Sequence, residues 1–291
     1  MNDITFYLED LKSKFTKINF QDYYLSYSGG RDSHFLYWFI KEYLKDNEIK
    51  IVTCNTLLEH KEIKERMIKY SDVVLKPKLK PYEIKEKVGI PCFSKMQDDM
   101  IMRYQKGSRS ISLMQFINGT KNKGKTMFKM NNQAKKLLLN DKLHKISNKC
   151  CYYMKKLPFK EYEKESKKKA ILGVRSTESI LRKAQYTTCF TKEKKFTPIH
   201  DLSDDLLHKI EKKYNIEIPQ IYKHVSRTGC MGCPYGSHYR DTQKELNMLD
   251  RNQREFIYKY FKESYDLLGI KDMGKIEQLS INFDEKSDEI E

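Results

Sequence analysis

The sequence is poor in long apolar stretches. Its longest, Phe35-Leu36-Tyr37-Trp38-Phe39-Ile40, is six residues, against the ~18 that a membrane span needs, so no membrane association is expected. The opening Met1-Asn2-Asp3-Ile4-Thr5-Phe6 lacks the basic and apolar segments of a secretory leader. The expectation is a soluble, cytoplasmic protein, and in that compartment seven cysteines argue against a disulfide framework. No internal repeat or low-complexity linker is visible; only Asp284 to Glu291 has the composition of a frayed acidic tail. The G-x-x-x-x-G-K-S/T loop of the commonest nucleotide hydrolases is missing, and no cysteine follows Cys233.

Positive charge, by contrast, is abundant and unevenly placed. Lys and Arg number 56 against 40 Asp and Glu, a net +16. Residues 121–170 hold 16 lysines and four acids (Asp141, Glu161, Glu163, Glu165). Such a block suits a polyanion, with nucleic acid the expected partner through phosphate neutralisation; a solvated lysine face is the alternative. The cysteines are grouped as well: Cys150-Cys151 and Cys230-x-x-Cys233 form two tight sets, while Cys54, Cys92 and Cys189 stand alone.

Periodicity predicts an α/β fold. Tyr23 to Tyr27 reads as a buried strand ending at Ser28-Gly29-Gly30, and Phe35, Leu36, Phe39, Ile40 and Leu44 then recur at helical spacing. A second strand is predicted over Ile49–Cys54, a helix over Ile63–Tyr70, a third strand over Asp72–Leu75 and another over Lys169–Val174. This alternation implies a Rossmann-like parallel sheet flanked by helices. Residues 95–150 read as a basic helical insertion. Ser203 is an expected N-cap, and Leu246, Leu249, Phe256, Ile257, Tyr260 and Phe261 predict one long helix in a mostly helical C-terminal part. The expected division is 1–200 for the nucleotide-binding part and 201–291 for a helical part carrying Cys230-x-x-Cys233, or a single domain combining both.

Ser28-Gly29-Gly30-Arg31-Asp32-Ser33, between strand and helix, has the makings of an anion site. Its glycines allow close approach of the backbone, the helix presents unpaired N–H groups, and Ser28, Ser33 and Arg31 add donors. A plain turn would also use a Gly-Gly pair. The motif resembles the PP-loop of the adenine-nucleotide alpha-hydrolase (HUP) superfamily, whose members include ATP pyrophosphatases, tRNA thiolases and the phosphoadenosine phosphosulfate (PAPS) and adenosine phosphosulfate (APS) reductases. The resemblance implies a loop that holds phosphate or sulfate. Asn55-Thr56-Leu57-Leu58-Glu59 stands where that superfamily has Asp-Thr-Gly-x-Glu, so Asn55 and Glu59 become candidate nucleotide contacts.

Cys150-Cys151, then Gly173-Val174-Arg175 with Arg182, then Cys230-x-x-Cys233, is similar to the pattern of APS reductases and of the enzymes that place sulfur in the DNA backbone. The resemblance implies a [4Fe–4S] cluster on Cys150, Cys151, Cys230 and Cys233. Four thiolates also suit zinc, for which adjacent cysteines make an awkward tetrahedral chelate, or are simply buried thiols. Gly173, Arg175 and Arg182 match the segment that contacts the activated sulfate or the triphosphate. Arg31, Asp32 and Arg175 are the expected catalytic residues, with Asp32 placing Mg²⁺.

Two enzymatic expectations follow. One is ATP-dependent adenylylation of a nucleic acid, with pyrophosphate release and sulfur supplied by a donor protein. The other is APS or PAPS reduction to sulfite with a thiol reductant, which would need Cys54, Cys92 or Cys189 in place of the reductases' tail cysteine; Cys54 also reads as a small buried hydrophobe. A non-catalytic nucleotide- or nucleic-acid-binding relative is a third. Glu59, Glu178 and His238 are further polar candidates, and Lys149, Lys155, Lys156, Arg175 and Arg227 are cations suited to a cluster or an anionic substrate.

Overall fold

In the computed structural model the described residues are 3–120, 130–178, 180–225, 228–238 and 241–271. The segment 121–129, the most basic part of the lysine block, lies outside them, as do Arg227 and the side chains of Glu178 and His238. Packing divides the chain into two compact units. The first comprises Met1–Pro77 and Lys155–Thr228, the second Lys78–Met154 and Gly229–Glu291. The chain therefore changes unit at 77/78, 154/155 and 228/229, and not at the residue-200 boundary expected from the sequence. The reason is that Lys169–Leu172 must return to pair with the first strand.

The first unit is built on four parallel strands, β1 (Tyr23–Ser26), β2 (Lys50–Cys54), β3 (Val73–Leu75) and β4 (Lys169–Leu172), in the order β3-β2-β1-β4. The expected parallel, helix-flanked sheet is present. Alternation sorts the side chains onto two covered faces, as a parallel sheet requires. Leu25, in register with Ile51 and Ile171, joins a core with α1 (Asp3–Phe15), α2 (Arg31–Trp38) and α10 (Asp204–Lys213). Tyr24, opposite Ala170, faces the other way and packs with Phe159 and Tyr162 of α8 (Leu157–Ser166). Helix α1 has no counterpart among the elements expected from the sequence; its Ile4, Leu8, Leu11 and Phe15 form a buried stripe at helical spacing. The first unit also holds α3 (Lys61–Tyr70) and α9 (Ile180–Gln185).

The second unit is helical: α4 (Pro81–Val88), α5 (Lys95–Gln105), α6 (Ile111–Asn118), α7 (Asn132–Leu139), α11 (Thr242–Asn247) and α12 (Arg251–Leu268). Its core includes Phe93, Ile101, Phe116, Leu138 and Ile146. The single C-terminal helix predicted from Leu246 onward is two helices. Asp250 ends the continuity by taking a hydrogen bond from the Gln253 N–H at 2.8 Å, an N-cap that restarts the helix. Among the described residues no helix is long and apolar enough to cross a membrane.

Candidate nucleotide site and cysteine cluster

In the first unit, successive strands are added on one side of β1 up to β3, and β4 then joins on the other side. β1 and β4 thus flank a topological switch point, where the C-terminal ends of parallel strands open a crevice. The Ser28–Ser33 loop leaves β1 there, and Gly173–Arg175 leaves β4 beside it. A Cβ on Gly173 would come within 2.9 Å of the Ser33 amide nitrogen and 3.0 Å of the Asp32 carbonyl carbon, so the two segments touch backbone to backbone.

The loop is wound tightly. Gly29 has φ +71°, and a Cβ there would meet the Ile63 carbonyl oxygen at 2.9 Å, which only glycine avoids. The Ser33 hydroxyl donates to the Gly30 carbonyl at 3.0 Å and accepts from the Ser28 N–H at 3.2 Å, and the two serine hydroxyls lie 3.0 Å apart. These bonds fix the turn from strand into α2.

Ser28, Gly30, Arg31, Asp32 and Ser33 line a cavity of about 390 Å³, joined by Gly173, Arg175 and Arg182. These are eight of the eleven residues expected to hold the nucleotide. Gly29 faces α3 instead. Asn55 and Glu59 do not line the cavity: Asn55 accepts from the Leu57 N–H at 3.0 Å, and the buried Glu59 carboxylate accepts from the Thr56 hydroxyl and amide at 2.5 and 3.1 Å. They form a local turn, in which Leu57 takes φ +66°.

Charge within the cavity is largely matched. Arg175, 6% exposed, donates from Nε to Asp32 at 2.8 Å and from Nη1 to Asp204 at 2.8 Å. Arg31, expected to face the anion, makes a bidentate pair with the almost fully buried Glu211 of α10. The backbone N–H of Arg31 donates to the Tyr222 hydroxyl at 2.9 Å, and that hydroxyl lies 3.2 Å from the Thr228 hydroxyl. Tyr222, Thr228, Thr177 and Asp204 complete the lining. Sequence reasoning misses all four. Asp204 reads only as a first-turn residue of α10, and nothing near Tyr222 or Thr228 in the sequence points to the loop.

The second unit gathers the cysteine set. Cys150 is buried with its sulfur 3.8 Å from the Tyr260 hydroxyl, and Cys151, Cys230 and Cys233 are half-buried. Burial first, then the nearby thiols of Cys230, Cys151 and Cys150, push the Cys233 thiol well up, so Cys233 lies within electrostatic reach of the other three. Gly232, at φ +56°, turns the Cys230–Cys233 segment; a Cβ there would meet the Tyr265 hydroxyl at 2.5 Å and Ile257 at 2.7 Å. Among the described residues no group of three or more His, Cys, Asp or Glu side chains is set to hold a single metal ion. The donor chemistry fits an iron–sulfur group. Four sulfur donors gathered in one unit are soft ligands that suit iron once a metal displaces their protons.

The isolated cysteines are placed differently. Cys54 is buried at the end of β2, and burial pushes its thiol up to about 12; Cys92 is fully buried and raised for the same reason. Cys189 is raised too, by burial, and its sulfur is 3.9 Å from His200 Nδ1. None of these three lines the cavity.

Residues 84–235, just over half the chain, match the phosphoadenosine phosphosulfate reductase domain family. The chain belongs to that family. The matched stretch contains Gly173, Arg175, Arg182 and all four grouped cysteines, and it leaves out the Ser28–Ser33 loop. Among solved structures, the chain is similar to PAPS reductase from Candida auris in its phosphate complex, at 12% identity over 77% of this chain and 87% of that one, TM-score 0.43. It is also similar to the NH3-dependent NAD synthetase of Campylobacter jejuni subsp. jejuni NCTC 11168 in complex with nitrate, at 15% identity over 90% and 93%, TM-score 0.36. No curated protein matches the chain.

Proposed function

We propose that this member of the PAPS reductase family is an adenine-nucleotide-dependent enzyme of sulfur metabolism that activates a nucleic-acid acceptor by adenylylation for sulfur insertion. The observation that carries this reading is the cavity at the β1/β4 switch point, where the Ser28–Ser33 loop, Arg175 and Arg182 surround space for a polyphosphate. An acceptor oxygen would attack the α-phosphorus of ATP. The bond from that phosphorus to the bridging oxygen would break, and pyrophosphate would leave. A sulfur nucleophile from a donor protein would then displace AMP. Arg175, locked between Asp32 and Asp204, orients Asp32 on the cavity wall, and Asp32 has the hard oxygen donor that Mg²⁺ takes. Mg²⁺ there would supply charge neutralisation on the phosphates. Arg31 acts through position, since its guanidinium ties the loop to α10.

The family's own description favours a second reading, reduction of APS or PAPS to sulfite. That chemistry begins with a thiolate attacking sulfur. The cavity wall carries no cysteine, and the raised, buried Cys54 and Cys92 are poor sources of thiolate, which supports adenylylation over reduction. The grouped cysteines would hold a four-iron cluster in either case.

The test is pyrophosphate release from ATP by anaerobically purified protein, with and without DNA or tRNA. Release that rises with nucleic acid is the expected result. Sulfite formed from APS, with no pyrophosphate from ATP, would overturn the reading in favour of the reductase.

A further inference from the structure

The second unit has a cavity of its own, about 370 Å³, that the nucleotide site does not use. Its floor is apolar: Met102, Leu138 and Ile146 are all buried. Its rim carries Lys87, Lys106, Arg109 and Lys145 against one carboxylate, Asp141. The Arg109 guanidinium carbon lies over the Tyr104 ring, 3.7 Å from its centroid, held there by bonds from Nη1 to the Tyr104 and Ser108 carbonyls at 2.8 and 2.9 Å. Gln105 fastens the opposite wall, donating to the His144 carbonyl at 2.7 Å and accepting from the Ile146 N–H at 3.1 Å. The rim is therefore constructed and not a loose surface.

Lysines at helix C-termini need no ligand to explain them, and Lys87 and Lys106 end α4 and α5. Arg109 and Lys145 reach helix ends too, through the Tyr104 carbonyl of α5 at 2.8 Å and the Glu86 carbonyl of α4 at 3.1 Å, but helix capping does not explain why four cations and the Tyr104–Arg109 pair ring one apolar hollow. Lys87 and Lys106 form no ion pair among the described residues. Among the described residues, α4 and α5 meet the cavity with their C-terminal ends, and no first-turn residue of a helix lines it to grip a terminal phosphate. Side chains alone must hold the anion, each weakly, and that suits a chain of phosphates better than one. An apolar floor and a stacked Tyr–Arg plate suit a flat ring.

We propose that this cavity binds a nucleotide unit of a single-stranded nucleic acid, its base against the floor and the Tyr104–Arg109 plate and its flanking phosphates on the rim cations. The inference rests on the nucleic-acid acceptor of the proposed function and gives that acceptor a place in the second unit.

The experiment is fluorescence anisotropy of labelled DNA and RNA strands of about 12 nucleotides, a length within the usual site size, titrated at several salt concentrations. Wild type is compared with the triple variant Lys87→Ala/Lys106→Ala/Arg109→Ala and with Tyr104→Ala. Thermal unfolding confirms that each variant folds. The triple variant is expected to bind at least about 10-fold more weakly, with a salt slope flatter by roughly 2, since each phosphate that a cation neutralises adds about 0.7 to the slope. Tyr104→Ala is expected to weaken binding with its salt slope unchanged. Strand binding that survives the triple variant would overturn the cavity assignment and leave the nucleic-acid reading standing. AMP competing as well as the strand would also overturn it, by assigning the hollow to a free nucleotide. No strand binding by wild type would overturn both. Cavity-dependent strand binding without pyrophosphate release from ATP would support the cavity while sinking the adenylylation chemistry.

Discussion

A helix N-terminus holds an anion through amides that have no partner inside the helix, and at α2 one of these, the Arg31 N–H, donates to the Tyr222 hydroxyl. That hydroxyl stands in for an anion, so a phosphate at the loop must compete with it. Tyr222→Phe removes the competitor and is expected to tighten phosphate or ATP binding about fivefold, equivalent to about 1 kcal/mol; isothermal titration of the variant with ATP reads this directly, and unchanged affinity would mean the amide is not a ligand. Leu57 offers a second single-residue test. It is exposed, and its φ of +66° is a region where a side chain costs about 1–2 kcal/mol and glycine little. The family resemblance has glycine at this place in Asp-Thr-Gly-x-Glu, and the backbone keeps the glycine conformation without the glycine. Leu57→Gly is expected to stabilise the protein by about 0.5–1 kcal/mol in a denaturant melt, after allowing for glycine's extra chain entropy.

At the scale of elements, the contact between the end of β4 and the start of α2 determines whether the nucleotide cavity exists. Gly173→Ala would push a methyl group into the Asp32–Ser33 backbone. The expected result is a stability loss of about 1–3 kcal/mol and at least a tenfold fall in nucleotide turnover, with both measured on the same preparation. In the second unit, α5 is anchored through Asp98. Its fully buried carboxylate accepts from the Cys92 and Phe93 amides at 2.7 and 3.0 Å and from the Tyr235 hydroxyl at 2.8 Å. Burial outweighs these donors and pushes Asp98 up to about 6. The folded state therefore binds this proton more tightly than the unfolded chain. Its contribution is fully present below about pH 4 and is lost as the pH rises through 6. Stability of wild type relative to Asp98→Asn is expected to fall as the pH rises from about 4 to 7, approaching a total loss of about 3 kcal/mol.

The strands and the Ser28–Ser33 loop are legible in the sequence because alternation and a Gly-Gly turn are local signals. Ser203 is legible as a cap for the same reason, and it accepts from the Leu206 N–H. Glu211 and Tyr222 are not legible. They reach Arg31 from 180 and 191 residues away, and no local pattern encodes which distant side chain will complete a loop. Asn55 and Glu59 stand outside the cavity lining for a different reason: a short polar turn satisfies its own donors first, and the two side chains accept from Thr56 and Leu57.

At the scale of the whole molecule, the cysteine set belongs to the second unit although its two halves lie far apart in the chain. Anaerobically purified protein is expected to carry about four iron atoms per chain, with visible absorbance. Cys150→Ser is expected to lose most of both, whereas Cys92→Ala, outside the set, should keep them. Retention of full iron by Cys150→Ser would remove the ligand assignment.

The interleaving of the two units also imposes an order on synthesis. Cys150 and Cys151 leave the ribosome with 78 residues still to come before Cys230. During those residues the chain builds the second half of the first unit, including β4. At typical translation rates the first thiol pair waits roughly 4–16 s for the second, exposed to whatever oxidant the cell holds. Loading of the proposed cluster would thus be a late event, timed by chain topology, and protein made under oxidative stress is expected to carry damage at Cys150 and Cys151 more than at Cys230 and Cys233.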